Sequence, residues 1–523
     1  MLTATGVTRS ELHVKGRKLV REAGKQVLLI EADGRIFAIA NRCPHEGYPL
    51  SEGSLGPDCL LTCNWHNWKF DLANGEAVVG RDPVRTYPIE LRGDEIFADL
   101  SDPPADAQRA HALKGLDTAI ADNDLSRMAR EIARLERAGF NATDALSHAV
   151  LTRNNRLENG MTHAYAAGAD WLAMAARAPS ADKRLTAMLE PVAHIAEDTL
   201  GASEFPYAQH IEQWNADGFL SAMEAEHEAK AIAHVRGAVA DGIPYAALRP
   251  AFGAAALAHY ADFGHSAIYT FKSGQLIAQL GDQASEPVLL ALTRSIVRAT
   301  REERLPEFRF YAKALAAWDG TGQEPARAQD FIGQSIDSAL KRVLASSGRP
   351  HRELFDALLG AAASNLLRFN RAFEMATGGA IADNISWLDF THALTFANAC
   401  RHICADSPEL WPQVLLQMAL FVGRNRKYVD SKEDVYRWRI NDRGEFLARE
   451  MDAVYDHGIP EPIIACHRVK MLCALADELS ASPDAPWADE MCAAVNRYLS
   501  SPMKRHHGLR TATQAMEFIA KEG

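Results

Sequence analysis

Two stretches, NRCPHEGYPL from Asn41 and LTCNWHNWKF from Leu61, each set a cysteine almost against a histidine: Cys43 with His45, and Cys63 with His66. Thiolate and imidazole are the side chains that hold soft and borderline metals, and two such pairs supply four ligands. A tetrahedral zinc site is one use of that set. The local spacing, Cys-x-His in one stretch and Cys-x-x-His in the other, leaves room for a different metal.

A second group of candidates lies far along the chain. His163 in LENGMTHAYAAGADW, His265 in HYADFGHSAIYTF, His392 in ISWLDFTHALTFANAC and His467 in IIACHRVKMLCAL each sit among small and apolar residues. A polar ring there needs a partner, either a core hydrogen bond or a metal. Lys470 follows His467 by one helical turn, in a segment apolar on nearly every side from Val469 to Ala476. A buried lysine is costly unless it is paired, neutralised or modified; a salt bridge or an outward-reaching chain is the ordinary solution. SAMEAEHEAKAIAHV offers a third pattern. Its Glu224, His227 and His234 fall on roughly one helix face, and Glu224-x-x-His227 is half of a di-iron bundle signature. The same segment reads equally as a solvated helix face with charge pairs.

The elements that position these residues divide the chain in two. Residues 1–103 read as β. KQVLLIEADGRIFAIA has two β-branched and aromatic runs around Asp33-Gly34, and FDLANGEAVVG and YPIELRGDEIFADL repeat the device at Asn74-Gly75 and Arg92-Gly93-Asp94. Pro103-Pro104 suits a linker. Residues 104–523 read as helical, with LSRMAREIARLERAGF, DALLGAAASNLLRFNRAFEMA and SPELWPQVLLQMALFVGRN as clear amphipathic or buried helices. Pro206, Pro244, Pro250, Pro306, Pro350 and Pro460 are expected breaks between helices. The fold class is therefore α+β and multidomain: a small all-β domain followed by a large all-α domain.

The two Cys-His stretches closely resemble the Rieske pattern, including Trp65, Phe70 and Gly75 after the second loop. The resemblance implies that Cys43 and Cys63 hold one iron of a [2Fe–2S] cluster and His45 and His66 the other. Neutral nitrogen in place of anionic sulfur lowers the negative charge on the second iron and raises the potential. Asn64 and Asn67 stand where such domains usually carry proline and glycine, and are expected to tune the cluster through hydrogen bonds near the sulfurs. The paired extra cysteines of respiratory-chain Rieske proteins are missing, which points to the oxygenase or ferredoxin type.

The helical part resembles the questin oxidase-like non-heme iron oxygenases. NGMTHAYAAGADWLAMAARA, FGHSAIYTF, WLDFTHALTFANACRHI and ACHRVKMLCAL are similar to four of that family's helices, with Leu394 where the family's third motif has valine. The resemblance implies a mononuclear iron held by His163, His265, His392, His467 and a carbamylated Lys470, with His259 as an alternative to His265. It also implies oxidative attack on an aromatic or quinone-like ring.

Composition narrows the function classes. The chain has 523 residues, a formal net charge of -12, 47% hydrophobic, 24% charged and 8% aromatic residues. That balance argues against a nucleic-acid surface. No apolar run is long enough to span a bilayer, and the N-terminus lacks the apolar centre of a signal peptide. The eight cysteines show no disulfide-framework spacing, so a reduced, cytoplasmic protein is expected. The sequence thus reads as a Rieske-type non-heme iron oxygenase. An external ferredoxin or reductase feeds the [2Fe–2S] cluster. Electrons pass to iron in the same chain or a neighbouring subunit of a homo-oligomer, and O2 oxidises a small organic substrate. The rival is a Rieske electron-transfer protein whose helical domain only docks a partner and holds no second metal.

Overall fold

The structure, a computed structural model, describes residues 2–260, 262–381, 384–503 and 507–521. The chain divides into two compact units, Met1–His111 and Ala112–Gly523. The division falls inside the helix Ala105–Ala121, which starts directly after Pro104.

The first unit is built of antiparallel strands. Arg17–Glu22, Lys25–Ala32 and Arg35–Ala40 form one meander; Leu2–Thr8, Glu95–Asp99 and Ile89–Arg92 form a second sheet. Ser54–Leu55, Leu60–Thr62, Lys69–Asp71 and Ala77–Val79 form a third. Asp33 and Gly34 take φ of 50° and 71°, the left-handed pair that turns a two-residue hairpin with the strand twist. A hairpin of the same kind turns at Ala23-Gly24. The run VLLI in Lys25–Ala32 does not alternate because both faces are covered. Val27 and Leu29 enter one core with Ile96 and Leu100; Leu28 and Ile30 enter another with Cys43, Cys63 and Phe70. The second of these cores lies directly under the two cysteines.

The unit also contains one short helix, Arg9–Lys15, in a stretch read as strand. Its start is a local cap: the Thr8 hydroxyl accepts from the Glu11 backbone N–H at 3.1 Å, and Leu12 is buried.

The second unit is helical around a single continuous apolar core reaching from Ala112 to Leu499. LSRMAREIARLER forms the helix Leu125–Arg137, and the other expected helices appear at His351–Leu367 and Trp411–Asn425. Pro244 and Pro350 stand just ahead of helices, as expected, but Pro250 lies inside Tyr245–Leu257. The fully buried Leu248 and Phe252 hold that helix together across the missing hydrogen bond. No helix among the described residues is long and apolar enough to cross a membrane.

Candidate metal centres

Backbone geometry makes the two Cys-His loops copies of each other. The Cys43 N–H donates to the Tyr48 carbonyl at 2.9 Å and the Gly47 N–H to the Cys43 carbonyl at 2.8 Å; Cys63 with Trp68 and Asn67 with Cys63 repeat this at 2.8 and 2.9 Å. Each loop reverses at a left-handed residue, Gly47 (φ 77°) and Asn67 (φ 59°). Asparagine is among the few side chains that tolerate that conformation, so Asn67 replaces glycine without changing the turn. The Asn64 amide does not serve a sulfur as expected: it donates to the Glu52 carbonyl at 2.8 Å and ties the second loop to the first.

The four side chains converge. Cys43 and Cys63 are buried, 3% and 1% exposed, and the Cys43 thiol is pushed up to about 11 by burial and by the Cys63 thiol beside it. On the outer side His45 Nδ1 lies 3.1 Å from His66 Nδ1. Trp68 stacks on His45 at 4.7 Å and 14°, and the exposed Trp65 stacks on His66 at 5.0 Å and 23°, so each ring is fixed by an indole. Two sulfurs inside and two nitrogens outside fit a cluster with two thiolates on its inner iron and two imidazoles on its outer iron.

The second centre is assembled from four helices. His163 and His265 are the first residues of His163–Arg177 and His265–Leu280; His392 and His467 lie in the second turns of Leu388–Asp406 and Pro462–Ala481. Each of these helices packs on the next around a ring. Two turns further along, Asp170, Lys272, Asn398 and Cys473 from the same four helices line a cavity of about 250 Å³, so the helices run side by side in one direction. Gly264, at φ 78°, admits this packing, since a Cβ there would meet the Phe396 ring at 2.5 Å.

The four rings meet through Nε2. His467 Nε2 is 3.1 Å from His392 Nε2, and His265 Nε2 is 3.1 Å from His163 Nε2. His163 and His467 centroids are 4.9 Å apart, and those of His265 and His392 4.4 Å. Ligand atoms of His163, His392 and His467 all lie within 4.8 Å of one another. Two of the rings have their other nitrogen committed: His467 Nδ1–H donates to the Ile463 carbonyl at 2.7 Å and His265 Nδ1–H to the Asp262 carbonyl at 2.6 Å. A carbonyl only accepts, so the neutral ring is bare at Nε2. Burial, then Lys470 and the neighbouring rings, hold His163 and His467 well below the usual imidazole range; burial and the other rings do the same for His392. Imidazole nitrogens facing at 3.1 Å are what a cation requires of a histidine site, and backbone carbonyls orient the His265 and His467 rings from behind.

Lys470 is 1% exposed and its Nζ has no hydrogen-bond partner among the described residues. Asp170, the nearby buried acid, is taken by Lys272 at 2.6 Å. Neither a salt bridge nor an outward reach accounts for this lysine, and burial pushes its amine below the usual range.

The remaining candidates separate from the centre. Glu224 ends the helix Ala216–Glu224, the chain turns at Glu226, and His227 precedes the helix Glu228–Ala240, so these residues do not share one helix face. Glu224 is exposed and pairs with His259 at 2.8 Å and Arg301 at 3.2 Å; His234 Nδ1 lies 3.0 Å from the Gln213 carbonyl. His259 is held between Glu224 and Glu303, away from the four rings. Tyr269 was not singled out in the sequence, yet its hydroxyl lies 3.3 Å from His163 Nδ1. Its place one turn after His265 in FGHSAIYTF is the signal that could have found it.

Residues 7–88 match the family of Rieske [2Fe-2S] domains. The ferredoxin subunits of 3-phenylpropionate/cinnamic acid dioxygenase from Shigella boydii serotype 4 (strain Sb227) and Escherichia coli (strain K12) are each 34% identical over 88 residues. That is 16% of this chain and 83% of theirs. The ferredoxin of carbazole 1,9a-dioxygenase from Nocardioides aromaticivorans IC177 is 23% identical, with 19% of this chain and 99% of that one covered at a TM-score of 0.18. Through its N-terminal domain the chain belongs to the Rieske [2Fe-2S] family. These likenesses concern that domain alone.

Proposed function

We propose that this chain is a Rieske-type non-heme iron oxygenase of the questin oxidase-like kind, with a [2Fe–2S] cluster on Cys43, His45, Cys63 and His66. A mononuclear iron would be held among His163, His265, His392, His467 and Lys470. When bound, the cluster would relay electrons from an external ferredoxin or reductase, and the iron would bind and reduce O2 for attack on an organic substrate, aromatic or quinone-like. The observation that carries the reading is the set of four imidazoles, His392 and His467 buried and His163 and His265 half-buried, whose Nε2 atoms pair at 3.1 Å. The aromatic acids in the names of the relatives' dioxygenases are in keeping with an aromatic substrate.

The chain's own residues divide the work. His45 and His66 bring the outer edge of the cluster toward solvent, where a donor protein reaches it. The carbonyls of Asp262 and Ile463 keep two rings, His265 and His467, in the metal-binding tautomer. Lys470 supplies the anionic ligand: its neutral nitrogen bonds to the carbon of CO2 and releases a proton, leaving a carbamate with two hard oxygen donors. That also removes the cost of a cation buried beside a metal.

The ferredoxin names of the relatives favour a second reading, electron transfer alone, with the histidines serving the core. Iron determination on the Cys43→Ser/Cys63→Ser chain separates the two. The oxygenase reading expects one iron retained in the helical unit; the electron-transfer reading expects none.

A further inference from the structure

The two pairs of facing imidazoles are not built alike. In the His392–His467 pair the second nitrogen of His467 is on the Ile463 carbonyl. That ring is therefore fixed with a bare Nε2, whether or not a cation is present. In the other pair His265 is fixed in the same way by the Asp262 carbonyl. His163 is not. Its Nδ1 instead meets the Tyr269 hydroxyl at 3.3 Å. A hydroxyl can accept or donate, so this partner leaves both tautomers open.

The consequences of the two orientations differ. If the hydroxyl donates to Nδ1, the His163 proton sits on Nε2 and points at the bare His265 Nε2, 3.1 Å away, as an ordinary hydrogen bond. If the hydroxyl accepts from Nδ1–H, both Nε2 atoms are bare and offer two lone pairs to a cation. Tyr269 is 4% exposed and its ring is fixed by His265 at 5.3 Å, so only the O–H rotor has to turn.

The geometry points to Tyr269 as a positioning residue that switches His163 between a metal-free hydrogen-bonded tautomer and a metal-binding one. The inference rests on the metal centre proposed above and adds how that centre stays satisfied when empty. No proton is gained or lost. One moves between the two nitrogens of one ring while the phenol reverses its donor role.

The test uses the full chain, labelled with 15N-histidine, with Zn(II) as a diamagnetic probe. The His163 resonances are identified by their loss in His163→Gln. In the metal-free wild type His163 is expected to carry its proton on Nε2, and with Zn(II) on Nδ1. Tyr269→Phe, which keeps the ring, is expected to weaken Zn(II) binding roughly 10–100-fold. A metal-free wild type with His163 protonated on Nδ1 overturns the switch, as does Tyr269→Phe with unchanged affinity. The metal-free spectrum needs no variant to fold. If wild type takes no Zn(II), the metal centre fails on its own, and the metal-free tautomer still decides the role of Tyr269.

Discussion

His392 and His467 face each other Nε2 to Nε2 at 3.1 Å, and the His467 ring is tied from behind to the carbonyl four residues earlier, Ile463. The His467 Nε2 therefore presents a lone pair that must meet a proton or a cation, since an unsatisfied buried polar group costs about 1–3 kcal/mol. His392→Ala and His467→Ala are expected to abolish iron in the helical unit while the reduced Rieske EPR signal stays. Iron analysis with EPR on the same sample checks this; full iron retention in either variant contradicts the ligand set.

The cluster domain carries its own two apolar cores. A chain of residues 1–104 is expected to fold and hold one [2Fe–2S] cluster. In the full chain, His66→Cys is expected to keep a cluster but lower its potential, because a thiolate adds negative charge at the outer iron. Protein-film voltammetry measures the shift; an unchanged or higher potential would speak against His66 as a ligand.

Lys470 is buried, and its Nζ has no hydrogen-bond partner among the described residues. With 13C-bicarbonate, wild type is expected to show a carbamate carbon resonance that Lys470→Ala lacks. Lys470→Ala is expected to lose helical-unit iron, with partial return on addition of a short carboxylate; Lys470→Glu is expected to keep some. An identical 13C spectrum in wild type and Lys470→Ala would remove the carbamate from the account.

Glu302 gives a pH dependence of stability. It is 2% exposed, one oxygen accepts from the Phe263 N–H, the other has no partner, and burial pushes its carboxyl up to about 8. Between the usual carboxylate range and pH 8 the folded state binds the extra proton. Its contribution is therefore full at low pH and is lost as pH rises through that window, on the order of a few kcal/mol. Melting curves of wild type and Glu302→Gln are expected to diverge with rising pH, the variant being the more stable at pH 8.5. A difference that stays constant from pH 5 to 8.5 would show that Glu302 does not titrate in this way.

The two centres were legible in the sequence to different degrees, for a physical reason. The Cys43 and Cys63 loops are local. Their ligands lie within three residues of each other and their turns need only Gly47 and Asn67, so spacing carries the geometry. His163, His265, His392 and His467 were visible only as polar rings among apolar neighbours and through a family resemblance, because helices far apart in sequence bring them together. The supporting groups were not visible at all. Backbone carbonyls at Asp262 and Ile463 have no residue-type signature, and Tyr269 looks like any core aromatic. Glu224 and His227 share a face only on an unbroken helix, and the turn at Glu226 breaks it, in keeping with the reading of that segment as solvated charge pairs.

Counting iron in the full chain tests the central claim most directly. Protein purified without oxygen is assayed for iron per chain and its EPR spectrum is recorded after reduction. The account expects three irons per chain, two giving the reduced Rieske signal and one bound in the helical unit. Two irons per chain, all accounted for by the Rieske signal, would leave the four histidines as core residues and contradict it.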